Sequence, residues 1–147
     1  MASLSHRSTT GSSVLLVLAC AMCGFGQAPQ PGVSAKRIVG MEYPPFARMA
    51  VLQGKVELAA AISPDGTVKS IRVLSGPGPL ASPAKETLSK WLFLGCGSQA
   101  SECEVRFVFT FVLSGACTPG ARCPTEFQVD LPDKVLVKAA AYNAVIN

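Results

Sequence analysis

The sequence predicts an α+β fold: a two-layer domain with a three-stranded antiparallel sheet, ordered strand, strand, helix, strand, and preceded by a short N-terminal helix. Three observations predict it. Residues 55–63 and 103–113 alternate apolar and polar side chains with a period of two. A Pro64-Asp65-Gly66 turn divides the first of these runs from a second β-rich run. Between the strands, Ala84, Leu88 and Trp91 recur at the spacing of one helical face.

The elements follow in order. Pro44 and Pro45 mark a helix start, where a missing N–H costs nothing. Phe46, Met49 and Ala50 share a face and Gly54 ends the segment, so a short helix is expected over Pro45–Gln53. In Lys55–Ser63, Val56, Leu58, Ala60 and Ile62 form the buried side of a strand. Pro64 presets φ, Asp65 caps the turn and Gly66 takes positive φ, so Thr67–Leu74 returns as the partner strand of a hairpin. Ser82 before Pro83 reads as an N-cap followed by proline at the first helical position. Gly95 and Gly97 end that helix. Cys103–Leu113 puts Val105, Phe107, Phe109, Phe111 and Leu113 on one face and is the clearest strand in the chain. A small terminal hairpin is expected from Phe127–Leu131 and Lys134–Lys138, with Ala139–Asn147 loose.

At the N-terminus, Met1–Ser13 is polar with Arg7 and no acid. Val14–Cys23 is an apolar run too short for a spanning helix, and Gly24-Phe25-Gly26 then offers small residues for cleavage. Residues 1–26 therefore read as a secretory signal peptide. The alternatives are an uncleaved inner-membrane anchor and, more loosely, lipidation at Cys20. Residues 27–41, with Pro29, Pro31 and Gly32, read as an exposed linker. The domain proper is 42–114, and 115–147 is a cysteine-bearing loop with a C-terminal extension. A cleaved chain is periplasmic or secreted, and it meets the membrane only if the leader is retained.

Composition narrows the chemistry. Of 147 residues, 49% are hydrophobic and 15% charged, which permits a real core and argues against a disordered chain. The formal charge of +4 is scattered, without the basic stripe of a nucleic-acid binder. The lone histidine, His6, lies in the leader, so the mature chain has no histidine for a catalytic triad or a zinc site. Enzymatic readings are left with Asp65, Glu42, Glu57 or a free thiol, and no two acids are spaced as a catalytic pair. No cofactor is expected.

Four cysteines follow the leader: Cys96, Cys103, Cys117 and Cys123. Their even number suits an oxidising compartment. Cys96–Cys103 with Cys117–Cys123 is the simplest of three pairings. The spacings lack the short knuckles of zinc sites, and no C-x-x-C motif supports a redox site.

One resemblance is carried by many residues jointly. Tyr43-Pro44-Pro45, Ala47, Ala50, Gly54-Lys55-Val56, Pro64-Asp65-Gly66-Thr67-Val68, Val73-Leu74-Ser75-Gly76, Leu80, Ala84, Leu88, Trp91 and Phe93 stand in an order and spacing that resemble the C-terminal domain of TonB family proteins. The match covers about Glu42–Leu113. The resemblance implies a non-enzymatic interaction module of the cell envelope, linked to outer-membrane transport. It also implies that a short segment of a protein or peptide partner, such as an outer-membrane receptor, binds as an added strand on an open sheet edge. The matching edge would be Glu104–Leu113, with Glu104, Arg106, Val108, Thr110 and Val112 outward of the core face. Glu42 and Tyr43, ahead of the first helix, would also touch the partner.

The resemblance carries a second functional reading, a membrane-anchored transducer that couples a proton-driven inner-membrane motor to outer-membrane receptors. A linker of about 14 residues reaches at most roughly 50 Å, which sets this chain apart from family members with long spacers. Homodimerisation is the competing use of an unpaired strand.

Overall fold

Each alternating run must bury one face, and the chain meets that demand with one sheet covered on one side. The computed structural model describes residues 33–96, 101–118, 120–131 and 133–143. The expected signal peptide and the start of the linker lie outside them. The elements are β1 (Ala35–Arg37), α1 (Pro45–Met49), β2 (Gly54–Ile62), β3 (Val68–Ser75), α2 (Gly78–Ser89), β4 (Leu92–Phe93), β5 (Cys103–Cys117), β6 (Glu126–Asp130) and β7 (Lys134–Tyr142). No described helix is long and apolar enough to cross a membrane.

The main sheet has five strands, in the order β3-β2-β5-β7-β6. The expected three-stranded sheet is its β3-β2-β5 part, which is antiparallel throughout. The correction lies in the C-terminal extension. β6 and β7 pair antiparallel, and β7 lies parallel to β5. The expected terminal hairpin exists, but it belongs to the sheet, and β7 runs on to Tyr142 where a loose tail was expected. Its alternation explains why it joins: Val135, Val137 and Ala139 are buried in register with Phe109, Phe111 and Leu113 of β5.

The core lies between the sheet's inner face and α2. Val56, Leu58, Ala60 and Ile62 meet Val105, Phe107, Phe109 and Phe111 there, all essentially without solvent contact. Trp91 stacks edge-on against Phe107 and Phe127, and its indole N–H donates to the Val39 carbonyl at 2.9 Å. Each such side chain contributes about 1.5–3 kcal/mol on burial. Residues expected as linker take part too: Val33 is buried, and β1 pairs with β4 in a second, two-stranded sheet.

Two helix boundaries differ from expectation. α2 starts at Gly78, with Pro77 as N-cap and Pro79 in the first turn, so Pro83 sits inside the helix. α1 stops at Met49, four residues early, because Val51 turns into the left-handed region (φ 52°) and Leu52 N–H closes back on the Ala47 carbonyl at 2.8 Å. α1 buries Ala47 and Arg48, while Phe46 and Met49 are 66% and 68% exposed, so the expected apolar face points to water.

The Pro64–Gly66 turn forms as the residues dictate. Asp65 Oδ1 accepts from the Thr67 N–H at 3.0 Å and from its hydroxyl at 2.7 Å, and these bonds lower the carboxyl pKa. Gly66 has φ 87°, and a Cβ there would strike the Phe93 carbonyl.

Candidate interaction site

Strand addition needs a sheet border, and borders follow from pairing. β5 has none at its centre, Val108–Phe111, where both flanks are paired. β2 flanks it antiparallel from Gly54↔Phe111 to Ile62↔Cys103. β7 flanks it on the other side from Val108↔Lys134 to Cys117↔Tyr142. The expected docking edge at Glu104–Leu113 is therefore narrowed: Val108–Phe111 lie inside the sheet, Glu104–Phe107 pair with β2 alone, and Val112 and Leu113 pair with β7 alone. The alternation in β5 determines which face is buried. It carries no information on whether another strand occupies its flank.

The side chains expected on that strand do share one surface. Val108 and Thr110 lie on the outer sheet face with Lys55, Glu57, Gln128 and Lys134, around a shallow concavity of about 780 Å³. Glu104 accepts from Arg72 at 2.8 Å, and Arg106 stands 3.9 Å from Glu57. Val112 is half-buried farther along β5.

Glu42 and Tyr43 stand elsewhere. Tyr43 is only 1% exposed; its hydroxyl donates to the Leu52 carbonyl at 2.6 Å, and its ring meets Phe111 edge-on at 5.5 Å. Burial raises its pKa, tempered by nearby Arg48. Tyr43 thus anchors the entry to α1 and offers no ring to a partner. Glu42 is exposed, beside Arg48, Arg122 and Tyr142.

Arg48 is a residue the sequence did not single out. It is buried, donates from Nε to the Ala140 carbonyl at 2.9 Å and from its terminal nitrogens to the Cys123 carbonyl at 3.1 and 3.2 Å, and lies over the Tyr142 ring at 4.8 Å. One guanidinium fork thus binds α1 to the extension. The cysteines pair Cys96 with Cys103 and Cys117 with Cys123, at Cα separations of 6.0 and 6.2 Å. The second pair closes the loop that leads from β5 towards β6. Among the described residues no cluster of His, Cys, Asp or Glu could hold a metal ion.

The sheet's borders are β3 and β6. β6 has five residues and exposes Glu126, Gln128 and Asp130. β3 is longer, at eight residues, and leaves Val73 47% and Leu74 38% exposed. Its backbone orientation follows from the ladder. Val108 sends its N–H to Asp133, so Phe107 and Phe109 bond to β2. The alternate residues of β2, Ala59 and Ala61, then face Arg72 and Ser70 of β3. By the same alternation Ile71 and Val73 aim their N–H and C=O groups away from the sheet. The sequence signal for this site was the apolar Val73-Leu74 pair at the end of a strand, which reads equally well as core.

Residues 39–113 match the family described as the Gram-negative bacterial TonB protein C-terminal. Among solved structures, the solution NMR structure of the Pseudomonas aeruginosa TonB CTD is 21% identical, with a TM-score of 0.46, over 56% of this chain and 87% of that one. No curated protein matches the chain. β6 and β7 lie beyond the matched region.

Proposed function

The chain belongs to the TonB C-terminal family, whose model matches residues 39–113, and we propose that it is a non-enzymatic interaction module of the cell envelope, serving TonB-dependent outer-membrane transport by taking an extended partner segment as an added strand on β3. The observation that carries this reading is the pairing of the sheet. β5 is occupied on both flanks at its centre, Val108–Phe111, whereas no strand lies beyond β3 along its length among the described residues. An added strand would bond to the outward groups of Ile71 and Val73 and cover the apolar surface at Val73. Export through a cleaved leader, which the four cysteines favour, places the module in the periplasm under this proposal.

The test is a titration of the isotopically labelled full chain with a synthetic peptide from the periplasmic segment of a TonB-dependent receptor. Amide resonances of Ile71 and Val73 should shift, and Val73→Pro, which removes an outward donor, should abolish the effect while the fold persists. Shifts confined to β5 and β7 would reject β3 as the docking border.

A further inference from the structure

The groove beside β3 specifies the chemistry of what lies in it. β3 packs beside α2, and the space between them, about 320 Å³, is lined by Val68, Lys69, Ser70, Ile71, Lys85 and Ser89. Its floor is apolar, since Val68 and Ile71 are half-buried and pack against the core. Its walls carry two lysines and no acid. Lys69 meets Glu102 at 3.5 Å with both side chains about half in water, a surface pair that a ligand carboxylate can displace at little cost. Lys85 forms no ion pair among the described residues. The sole acid of α2, Glu86, is engaged by Lys90 at 2.7 Å. β3 itself contributes Lys69 and Arg72 and no acid.

We infer that the occupant of this groove is an extended acidic segment of a partner protein, with apolar side chains over Val68 and Ile71 and carboxylates at Lys85 and Lys69. The inference rests on β3 being the docking border. Backbone pairing alone is indifferent to sequence; the two lysines supply the selection. A basic segment would bring like charges to Lys85 and Lys69 and be disfavoured. A second copy of β3 would also bring Lys69 and Arg72 against their own kind, so self-association through this border is disfavoured.

The experiment uses the full oxidised chain, isotopically labelled, and two blocked heptapeptides, one alternating valine with glutamate and one alternating valine with lysine. The glutamate peptide should shift the Ile71 and Val73 amides and bind about tenfold more tightly than the lysine peptide at low salt. Lys85→Glu, an exposed helix substitution, should remove most of that preference without altering the fold. Equal affinity for both peptides, each still lost in Val73→Pro, would overturn the acidic preference and leave strand addition standing. Binding by neither peptide, or binding unaffected by Val73→Pro, would overturn strand addition and the acidic preference with it.

Discussion

The backbone N–H of Val108 donates to the carbonyl of Asp133 at 2.7 Å. That bond starts the parallel pairing of β5 with β7, and it turns what the alternating sequence presents as a border into the middle of a sheet. Proline at Val108 should therefore unfold the domain rather than impair docking selectively. It removes a ladder bond in a central strand and leaves the Asp133 carbonyl without its donor, costing at least about 2 kcal/mol. Denaturant titration beside Val73→Pro checks this. Val73→Pro should cost far less, because its N–H points out of the sheet.

Arg48 should be essential to how the extension is held. Arg48→Ala leaves the Ala140 and Cys123 carbonyls without their donor and strips the cation from the Tyr142 ring. The expected loss is about 2–4 kcal/mol, and Arg48→Lys should recover little of it, because an ammonium cannot reproduce the fork. Limited proteolysis should then cut first between Cys123 and Tyr142.

Val51 offers a gain. A β-branched residue at φ 52° is strained by about 1–2 kcal/mol, and glycine relieves this at some entropic cost to the folded state. Val51→Gly should raise stability by up to about 1 kcal/mol. Gly66→Ala should do the reverse, because its Cβ would collide with the Phe93 backbone. Thermal melts of both variants provide the check.

Much of the sheet was legible because periodicity reports burial. Val56–Ile62 and Val105–Phe111 alternate as their faces require, and the Asp65 turn follows from local chemistry. Pairing was not legible. The pattern in Val135–Ala139 identifies a strand but not its neighbour, and its parallel insertion beside β5 depends on a crossover stapled at Cys117–Cys123 and locked by Arg48. An arginine on a short helix reads as solvated, and only the tertiary placement of α1 against β7 buries it. For the same reason, Phe46 and Met49 look like a core face in sequence and stand in water in the fold.

Acid should weaken the hairpin turn through Asp65. Hydrogen bonds from Thr67, first from its backbone N–H and then from its side chain, lower the pKa of this carboxyl in the folded state. A depressed folded pKa contributes stability that is fully present above the ordinary carboxylate range and is lost as pH falls through the folded value. Between about pH 5 and pH 2 the unfolding free energy should fall less steeply in Asp65→Asn than in the parent chain. Denaturant midpoints across that range measure the difference.

Amide hydrogen exchange on the full chain, with and without the receptor peptide, tests the open border most directly. Alone, Ile71 and Val73 should exchange fast while Thr110, covered by β7, is protected. With peptide present, Ile71 and Val73 should slow by about tenfold or more and Thr110 should stay as it was. Unchanged exchange at Ile71 and Val73, together with altered exchange at Thr110 and Val112, would show that partners displace β7 instead and would contradict docking on β3.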